Sequence, residues 1–240
     1  VHMAKITSLG AGGFGVSLAI AAYQNQHQVT VWDISEEIVQ AILRDGEHKT
    51  KLPGVKIPKG IGFTTDPHCM ENSDMVVFVV PSLFIRSVAQ RVKPFLTKDT
   101  ILVNASKGLE EETFLTMSQI IQSEYPENAV GVITGPSHAE EVGRGVPTTV
   151  VAASKNEAAA VQIQEVFSSH TLRIHINADP VGCEIGGALK NIIALAAGIC
   201  DGLHCGDNTK AALMTRGIHE ITNLGAVRIR LRSLFAALEE

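Results

Sequence analysis

Residues 5–33, KITSLGAGGFGVSLAIAAYQNQHQVTVWD, decide the fold class of this chain. A short strand-like apolar run leads into GAGGFG (residues 10–15), and an apolar stretch of helical length and a second strand-like run follow. In this setting Gly10 allows a tight turn, Gly12 lets a pyrophosphate approach the backbone, and Gly15 lets the helix pack on the strand. The positive end of the helix then faces the phosphates. The stretch predicts a dinucleotide-binding βαβ unit.

Asp33 ends the second predicted strand, 18 residues after Gly15. An acid at this position binds ribose hydroxyls and repels a 2′-phosphate, so NAD is favoured over NADP as the cofactor. The structural alternative for the same residues is a glycine turn with a helix-capping aspartate.

Alternation of strand-like and helical patterns continues for some 175 residues and predicts an α/β fold with a doubly wound, Rossmann-type sheet. The further predicted strands are residues 75–80, 100–103, 130–134, 148–152 and 172–176, and the predicted helices are residues 35–44 and 156–167. The pattern changes near Asp179-Pro180, after which only helical spacing follows. We therefore expect a sheet domain at residues 4–180 and the start of an all-helical substrate domain at residues 181–240.

The first helix of the second domain, residues 181–200, has apolar residues at helical spacing and few polar ones, so we expect it to be largely buried. Between Ile185 and Ile199 its only charged residue is Lys190. Burying an ammonium group costs several kcal/mol unless it has a partner. Lys190 therefore either extends its amine to the solvent or exchanges protons in a reaction.

Three further motifs follow predicted strands, where open α/β sheets bind ligands: VPS, SKG and GPSHAEE. They place Pro81, Lys107, Gly135 and Ser137 at this edge as candidate ligand contacts. Each has a structural alternative: a helix N-terminus at Pro81, a surface turn at Lys107, and a capped helix start with Ser137 as N-cap and Glu140 at the third position.

The segment 46–60, GEHKTKLPGVKIPKG, is predicted to be a loop because it is rich in Lys, Gly and Pro. One interpretation is a solvated connection between two elements of the sheet domain. The other is a loop that folds over a bound ligand. The sequence leaves both open.

Composition excludes several classes of function. The 240 residues carry 20 Lys and Arg against 25 Asp and Glu, and only 5% are aromatic, which argues against nucleic-acid binding. The four cysteines form no CxxC pair and no histidine pattern completes a zinc site, so free thiols and no metal are expected. The N-terminus has no signal-peptide pattern, and the apolar stretches are interrupted. We expect a cytoplasmic protein without membrane insertion.

Six motifs occur in one order: GAGGFG, VPS, SKGLE, TGPSHAEEV, GCEIGGALKNIIALAAGICDGL and NTKAALMTRG. Together they resemble the bacterial type of NAD(P)-dependent glycerol-3-phosphate dehydrogenase, over about residues 4–226. The resemblance implies interconversion of sn-glycerol 3-phosphate and dihydroxyacetone phosphate, a precursor step of glycerophospholipid synthesis, with hydride transfer to or from NAD or NADP. The SKGLE and ALKN contexts disfavour a 2-hydroxy-acid dehydrogenase of the wider superfamily.

The resemblance also implies roles for individual residues. Cofactor contacts fall on Gly13, Phe14, Lys107 and Ala139; substrate contacts on Lys107, Gly135, Ser137 and Lys190; the catalytic proton exchange on Lys190, with Lys107 and Asn191 assisting in the active site.

After Gly225 the motifs of the family stop, and the tail at residues 227–240 does not align with its Gly-rich, Asp-bearing and Ser-Arg-Asn-like segments. We expect the distal helices and the arginine that binds the substrate phosphate to be missing. The alternative function is therefore a dinucleotide-binding protein with little or no turnover. Uncovered apolar helix faces would also favour self-association, for example as a homodimer.

Overall fold

The computed structural model describes residues 3–236, with side chains described up to residue 226. Its centre is one eight-stranded sheet with the strand order β3-β2-β1-β4-β5-β6-β7-β8. The strands are β1 Lys5–Leu9, β2 Gln28–Trp32, β3 Gly62–Thr64, β4 Met75–Phe78, β5 Ile101–Asn104, β6 Val130–Thr134, β7 Thr148–Ser154 and β8 Leu172–Asn177. The first six strands pair in parallel, which confirms the doubly wound Rossmann-type sheet.

Eight α-helices accompany the sheet in the described part of the chain. They are α1 Gly13–Gln24, α2 Glu36–Asp45, α3 Ile85–Val92, α4 Met117–Glu124, α5 Ala139–Gly143, α6 Glu157–Phe167, α7 Pro180–Gly202 and α8 Asp207–Ala236. Ser35 caps α2 as its position before two glutamates indicates, with its Oγ accepting from the Ile38 N–H at 3.3 Å.

Helices cover both faces of the sheet, which explains the continuous apolar strands. One apolar core lies between the sheet and helices α1 and α6, and the other between the sheet and helices α3 and α4. Met75–Phe78 and Ile101–Asn104 are buried at every position because each face meets one of these cores. The strand order changes direction between β1 and β4, so a crevice opens there at the carboxyl ends of the strands.

Strand β7 departs from the parallel pairing of the first six strands. It runs antiparallel to β6, with Thr134 opposite Val151, and β8 then pairs in parallel with β7. The reason is the short connection between the two strands. Helix α5 has only five residues and does not carry the chain back along the sheet, so β7 starts from the edge where β6 ends.

Helix α7 contradicts the expectation that residues 181–200 are largely buried. Its buried residues are confined to the first turns, where it contacts α4, β6 and β7, and beyond them only α8 lies along it among the described residues. Ile192 and Leu195 are therefore 61% and 68% exposed. By length and composition alone, with a mean hydropathy of 1.4, α7 would also qualify as a membrane span.

The structure describes only part of the tail at residues 227–240. Backbone at residues 227–236 continues α8, and residues 237–240 of the expected aberrant tail lie outside the described residues.

The loop at residues 46–60 is not solvated along its whole length, because some of its side chains are buried in the sheet domain. Leu52 is fully buried (0% exposed) in the core beside α1. It also packs closely on Gly143 of α5, because a Cβ on that glycine would lie only 3.1 Å from the Leu52 Cδ1. The Leu52 N–H donates to the carbonyl of His48 at 2.8 Å. Leu52 therefore anchors the loop to the sheet domain.

We predict that Leu52→Ala lowers the free energy of unfolding by about 2 to 5 kcal/mol, because it removes buried methyl groups and leaves a cavity. Urea denaturation followed by circular dichroism measures the change. The matched control is Leu43→Ala on α2, where the side chain is 53% exposed and the same substitution should change stability little. Equal losses in the two variants would contradict the anchoring role of Leu52.

Candidate active site

The glycine-rich turn joins β1 to α1 by close backbone contacts. Gly10 has φ +112°, a conformation that L side chains rarely adopt, and its N–H donates to the carbonyl of Trp32 at 2.8 Å. A Cβ on Gly15 would collide with the Gly10 carbonyl oxygen, whereas a Cβ on Gly12 would meet no atom of the described chain within 4 Å. Gly10 and Gly15 thus shape the turn, and Gly12 leaves open space beside it.

The N-terminus of α1 suits an anion. Within the described residues, no side chain caps this helix, and its first turn contains no acidic residue. The first N–H groups of a helix lack partners within the helix and carry partial positive charge. A phosphate placed beside Gly12 would meet both features.

Asp33 lies beside this turn and has a structural role as well. Its Oδ2 accepts a hydrogen bond from the Ala11 N–H at 2.7 Å, and its Oδ1 accepts from the Ser35 N–H at 2.9 Å. The carboxylate therefore holds the glycine-rich turn and the start of α2 together, while it also lines the adjoining cleft. The helix-capping alternative is wrong at this residue, because the N-cap residues of α1 and α2 are Gly12 and Ser35.

A cleft of about 960 Å³ opens at the carboxyl ends of β1 and β4. It gathers most of the cofactor residues that the sequence predicts: Gly10, Gly12, Gly13, Phe14, Asp33, Pro81 and Lys107, together with Ser137. Gly15 and Ala139 do not line it. Gly15 is buried at the base of the turn, and Ala139, at the start of α5, accepts a hydrogen bond from the Ser17 hydroxyl at its carbonyl at 2.8 Å.

Ala139 still bears on the turn through packing. A Cβ on Gly13 would lie 3.2 Å from the Ala139 Cβ and closer still to the Lys51 carbonyl oxygen. The start of α1, the start of α5 and the loop at residues 46–60 therefore meet at Gly13.

Several cleft residues are missing from the sequence prediction. His48, Thr50 and Lys51 come from the loop at residues 46–60, which supports the interpretation of a loop folded over the cleft. Arg91 comes from α3, where its Cζ lies 5.6 Å from the centroid of the Trp32 ring. The Lys-rich and Pro-rich composition of the loop was the only sequence signal that it could reach a ligand. No sequence signal indicated that Arg91, an exposed residue of α3, would line the cleft.

Lys107 is half-buried at the end of the cleft. Its Nζ donates to Ser137 Oγ at 3.3 Å and lies 5.8 Å from the centroid of the Phe14 ring. Burial lowers the pKa of Lys107, and the positive charge of Lys190 lowers it further. Lys107 is thus not an exposed turn lysine but a half-buried cation beside Ser137 and Phe14.

Ser137 does not cap helix α5. The N-cap is His138, and the Ser137 hydroxyl donates instead to the Gly135 carbonyl at 3.4 Å while its oxygen accepts from Lys107. The capped-start alternative with Ser137 as N-cap is therefore wrong, because Gly135, at φ +154°, turns the chain before the helix begins.

Lys190 and Asn191 lie on helix α7 and, like Gly135, do not line the cleft. Lys190 is half-buried, and its Nζ donates to the Oδ1 of the exposed Asn191 at 3.0 Å. A Cβ on Gly187 would collide with the Thr134 hydroxyl, so this glycine lets α7 approach the end of β6. Gly186 faces open space. The structure brings the two lysines close enough for their charges to interact.

These observations define a class of protein. A doubly wound sheet, a glycine-rich turn at an open helix N-terminus and a cleft at the switch point of the strand order form a dinucleotide-binding domain. Lys107 and Ser137 line that cleft, and the charge of Lys190 on α7 acts on Lys107. Among the described residues, no group of three or more His, Cys, Asp or Glu side chains is placed to hold a metal ion.

Comparison with known proteins specifies the family. A family model described as the NAD-dependent glycerol-3-phosphate dehydrogenase N-terminus matches residues 5–160, and the model of the corresponding C-terminus matches residues 179–238. The chain belongs to the family of NAD-dependent glycerol-3-phosphate dehydrogenases. The second match runs to residue 238, so the expectation that the tail does not align with the family is wrong over residues 227–238.

Individual relatives agree with this assignment. A glycerol-3-phosphate dehydrogenase (NAD(P)+) of Fusobacterium nucleatum is 45% identical over 239 residues, 98% of this chain and 71% of that protein. One from Moorella thermoacetica is 49% identical over 222 residues, 92% of this chain and 66% of that protein. The crystal structure of the Coxiella burnetii glycerol-3-phosphate dehydrogenase superposes with a TM-score of 0.87 at 32% identity, over 94% of this chain and 69% of that one. The chain thus spans about two thirds of its relatives' length.

We predict that Lys190→Ala raises the pKa of Lys107, because it removes a neighbouring positive charge that disfavours the ammonium form. Acetic anhydride labelling across a pH range, read at Lys107 by mass spectrometry, measures this pKa. Lys107 should therefore react more slowly near neutral pH in the variant than in the unmodified protein. Lys155→Ala, which removes an exposed lysine before α6, is the control and should leave the Lys107 profile unchanged. An unchanged profile in Lys190→Ala would show that the two ammonium groups do not interact.

Proposed function

We propose that this chain interconverts sn-glycerol 3-phosphate and dihydroxyacetone phosphate, using NAD or NADP as the redox partner. The observation that carries the proposal is the hydrogen bond from Lys107 to Ser137 in a dinucleotide cleft, with the charge of Lys190 acting on Lys107, in a chain of this family. The product glycerol 3-phosphate would supply glycerophospholipid synthesis.

The chain's own residues divide the work as follows. The turn at Gly10, Gly12, Gly13 and Phe14, with the open end of α1, would hold the cofactor phosphates. NAD(P)H, when bound, supplies the hydride of the reduction, and the carbonyl oxygen must gain a proton as the ketone becomes an alcohol. Each reduction therefore consumes one proton as well.

Lys190 is the proposed proton donor to that oxygen, and acceptor in the reverse direction. Its ammonium group donates to Asn191, and the second cation, Lys107, which lines the cleft, would stabilise negative charge that develops on the same oxygen. The Ser137 hydroxyl and the backbone at Gly135 complete the proposed substrate contacts. Ala139 contributes to the cofactor site through its packing on Gly13.

We also propose a domain division, a cellular location and an oligomeric state for this protein. The chain is divided near residue 180 into a dinucleotide-binding domain and a helical substrate domain, since β8 is followed by α7 and α8. The protein acts in the cytoplasm without membrane insertion. The exposed apolar side chains on α7 support self-association, for example as a homodimer; they are Ile192, Leu195 and Ile199.

The experiment that tests the function is spectrophotometric NADH oxidation with dihydroxyacetone phosphate, run beside a titration of cofactor binding. Turnover supports the proposal. Cofactor binding without turnover would overturn it in favour of a dinucleotide-binding protein.

In the same assay we predict that Lys190→Ala loses about 100- to 10,000-fold in turnover, because it removes the proton donor, while its cofactor affinity stays nearly unchanged.

Lys190→Arg serves as the companion variant. A guanidinium keeps the positive charge but stays protonated near neutral pH, so it should not restore turnover. Near-normal turnover in Lys190→Ala, or a loss of NADH binding instead, would refute the assignment of proton transfer to this residue.

We predict that NAD(H) binds more tightly than NADP(H), by about fivefold or more, since about 1 kcal/mol of repulsion is expected between the Asp33 carboxylate and a 2′-phosphate. Asp33→Asn should narrow the difference while its carbonyl oxygen retains an acceptor for the glycine-rich turn. Asp33→Ala should narrow it too, but it also removes the hydrogen bond to the Ala11 N–H.

Fluorescence titration of both cofactors measures the preference. The matched control is Glu37→Gln, which removes one negative charge from an exposed position on α2 outside the cleft. Equal or tighter binding of NADP(H) to the unmodified protein would contradict the prediction. An equal change of the NAD(H) over NADP(H) preference in Asp33→Asn and Glu37→Gln would contradict it too.

A further inference from the structure

We infer that Glu184 is a positioning residue that sets the place of Lys107 relative to Lys190, through a buried hydrogen-bond chain across the two domains. The inference rests on the proposed function, in which both lysines act on one substrate. Glu184 lies on α7, six residues before Lys190, and is only 5% exposed. It does not reach the cleft itself.

The carboxylate of Glu184 receives hydrogen bonds from two elements of the sheet domain. From α4, the Ser118 N–H donates to Oε1 at 2.9 Å and the Ser118 hydroxyl donates to Oε2 at 2.5 Å, with the Thr116 hydroxyl beside them. From the end of β5, the Asn104 Nδ2 donates to Oε1 at 2.7 Å. Every partner is a donor, so the site is built for a group that accepts only.

Asn104 links Glu184 to the loop that carries Lys107. Its Nδ2 also donates to the Ser106 carbonyl at 2.9 Å, and its Oδ1 accepts from the Ser106 N–H at 3.0 Å. The Ser106 hydroxyl in turn donates to the Val80 carbonyl at 2.5 Å. Ser106 is therefore held on three sides, and Lys107 follows it directly in the chain.

Burial makes this chain of contacts sensitive to the loss of a member. Burial raises the pKa of Glu184, although its hydrogen bonds act in the opposite direction. A donor left without its acceptor in such a site costs more than an ordinary hydrogen bond contributes. Loss of Glu184 would leave the Asn104 amide and the Ser118 N–H without this acceptor, so α7 and the Lys107 loop would shift relative to each other.

The position of Lys107 has a readout that does not require turnover. Ser137, the Phe14 ring and Lys190 are the groups placed around its amine. Displacing α7 removes the charge of Lys190 and admits solvent, and both changes raise the pKa of Lys107. Labelling of Lys107 by acetic anhydride near neutral pH should then slow.

The test compares Asn104→Ala with Ser118→Ala. Each removes a donor to Glu184, but only the first breaks the link to Ser106. We predict that Asn104→Ala slows Lys107 labelling about threefold or more and lowers kcat about 10- to 100-fold. The KM for NADH should stay unchanged, because the glycine-rich turn is not touched. Ser118→Ala should change neither labelling nor kcat by more than about twofold.

Equal effects of the two alanine variants would overturn the inference, because they would show that Glu184 only docks α7. An unchanged Lys107 profile in folded Asn104→Ala would overturn it too. The labelling comparison decides the matter even where the chain shows no turnover, so failure of the proposed function remains distinguishable from failure of this inference.

Glu184→Gln provides a second comparison that does not depend on the folding of Asn104→Ala. Its amide oxygen can accept from Asn104 and from the Ser118 N–H, while the Ser118 hydroxyl rotates to accept from the amide nitrogen. Labelling of Lys107 should therefore stay within about threefold of the unmodified protein. Glu184→Leu, similar in size but without a hydrogen-bond acceptor, should slow Lys107 labelling beyond that range. A loss in Glu184→Gln equal to that in Asn104→Ala would overturn positioning by hydrogen bonds.

Discussion

The contact between the start of α1 and the end of β1 is the constraint on which the rest of the structure depends. Gly15 lies against the carbonyl oxygen of Gly10, in a space that leaves no room for a Cβ. Because the helix begins so close to the strand, its first N–H groups open into the cleft while its apolar length packs over the sheet. Asp33 holds the same turn from β2. Cofactor cleft and sheet core are consequently parts of one packed unit.

A second close approach brings chemistry to that unit. Gly187 lets α7 approach Thr134 at the end of β6, and Glu184 accepts hydrogen bonds from α4 and β5 one turn earlier. Lys107 and Lys190, 83 residues apart in the sequence, thereby come within reach of each other's charge. The burial of Lys107 and the charge of Lys190 both disfavour the charged form of Lys107, and this is the electrostatic condition in which an amine exchanges protons readily.

The parts of the fold that could be predicted are those encoded by neighbouring residues. The turn at residues 10–15, the cap at Ser35 and the apolar strands follow from local spacing, and the structure has all of them. The direction of β7, the cap at His138 and the exposure of α7 could not be predicted in this way. Each depends on what packs beside the segment. The loop at residues 46–60 left two interpretations open because composition does not show where Leu52 is buried.

The sequence by itself determined the class of fold, the glycine-rich turn and the family, because glycine spacing and apolar periodicity act over a few residues. Only the tertiary structure decided which of the candidate side chains share a site. It joined Lys107 to Ser137, left Ser137 free of a capping role, brought Lys190 near and drew His48 and Arg91 into the cleft. The physical reason is that burial and Coulomb interactions depend on distance in space, which a linear pattern does not contain.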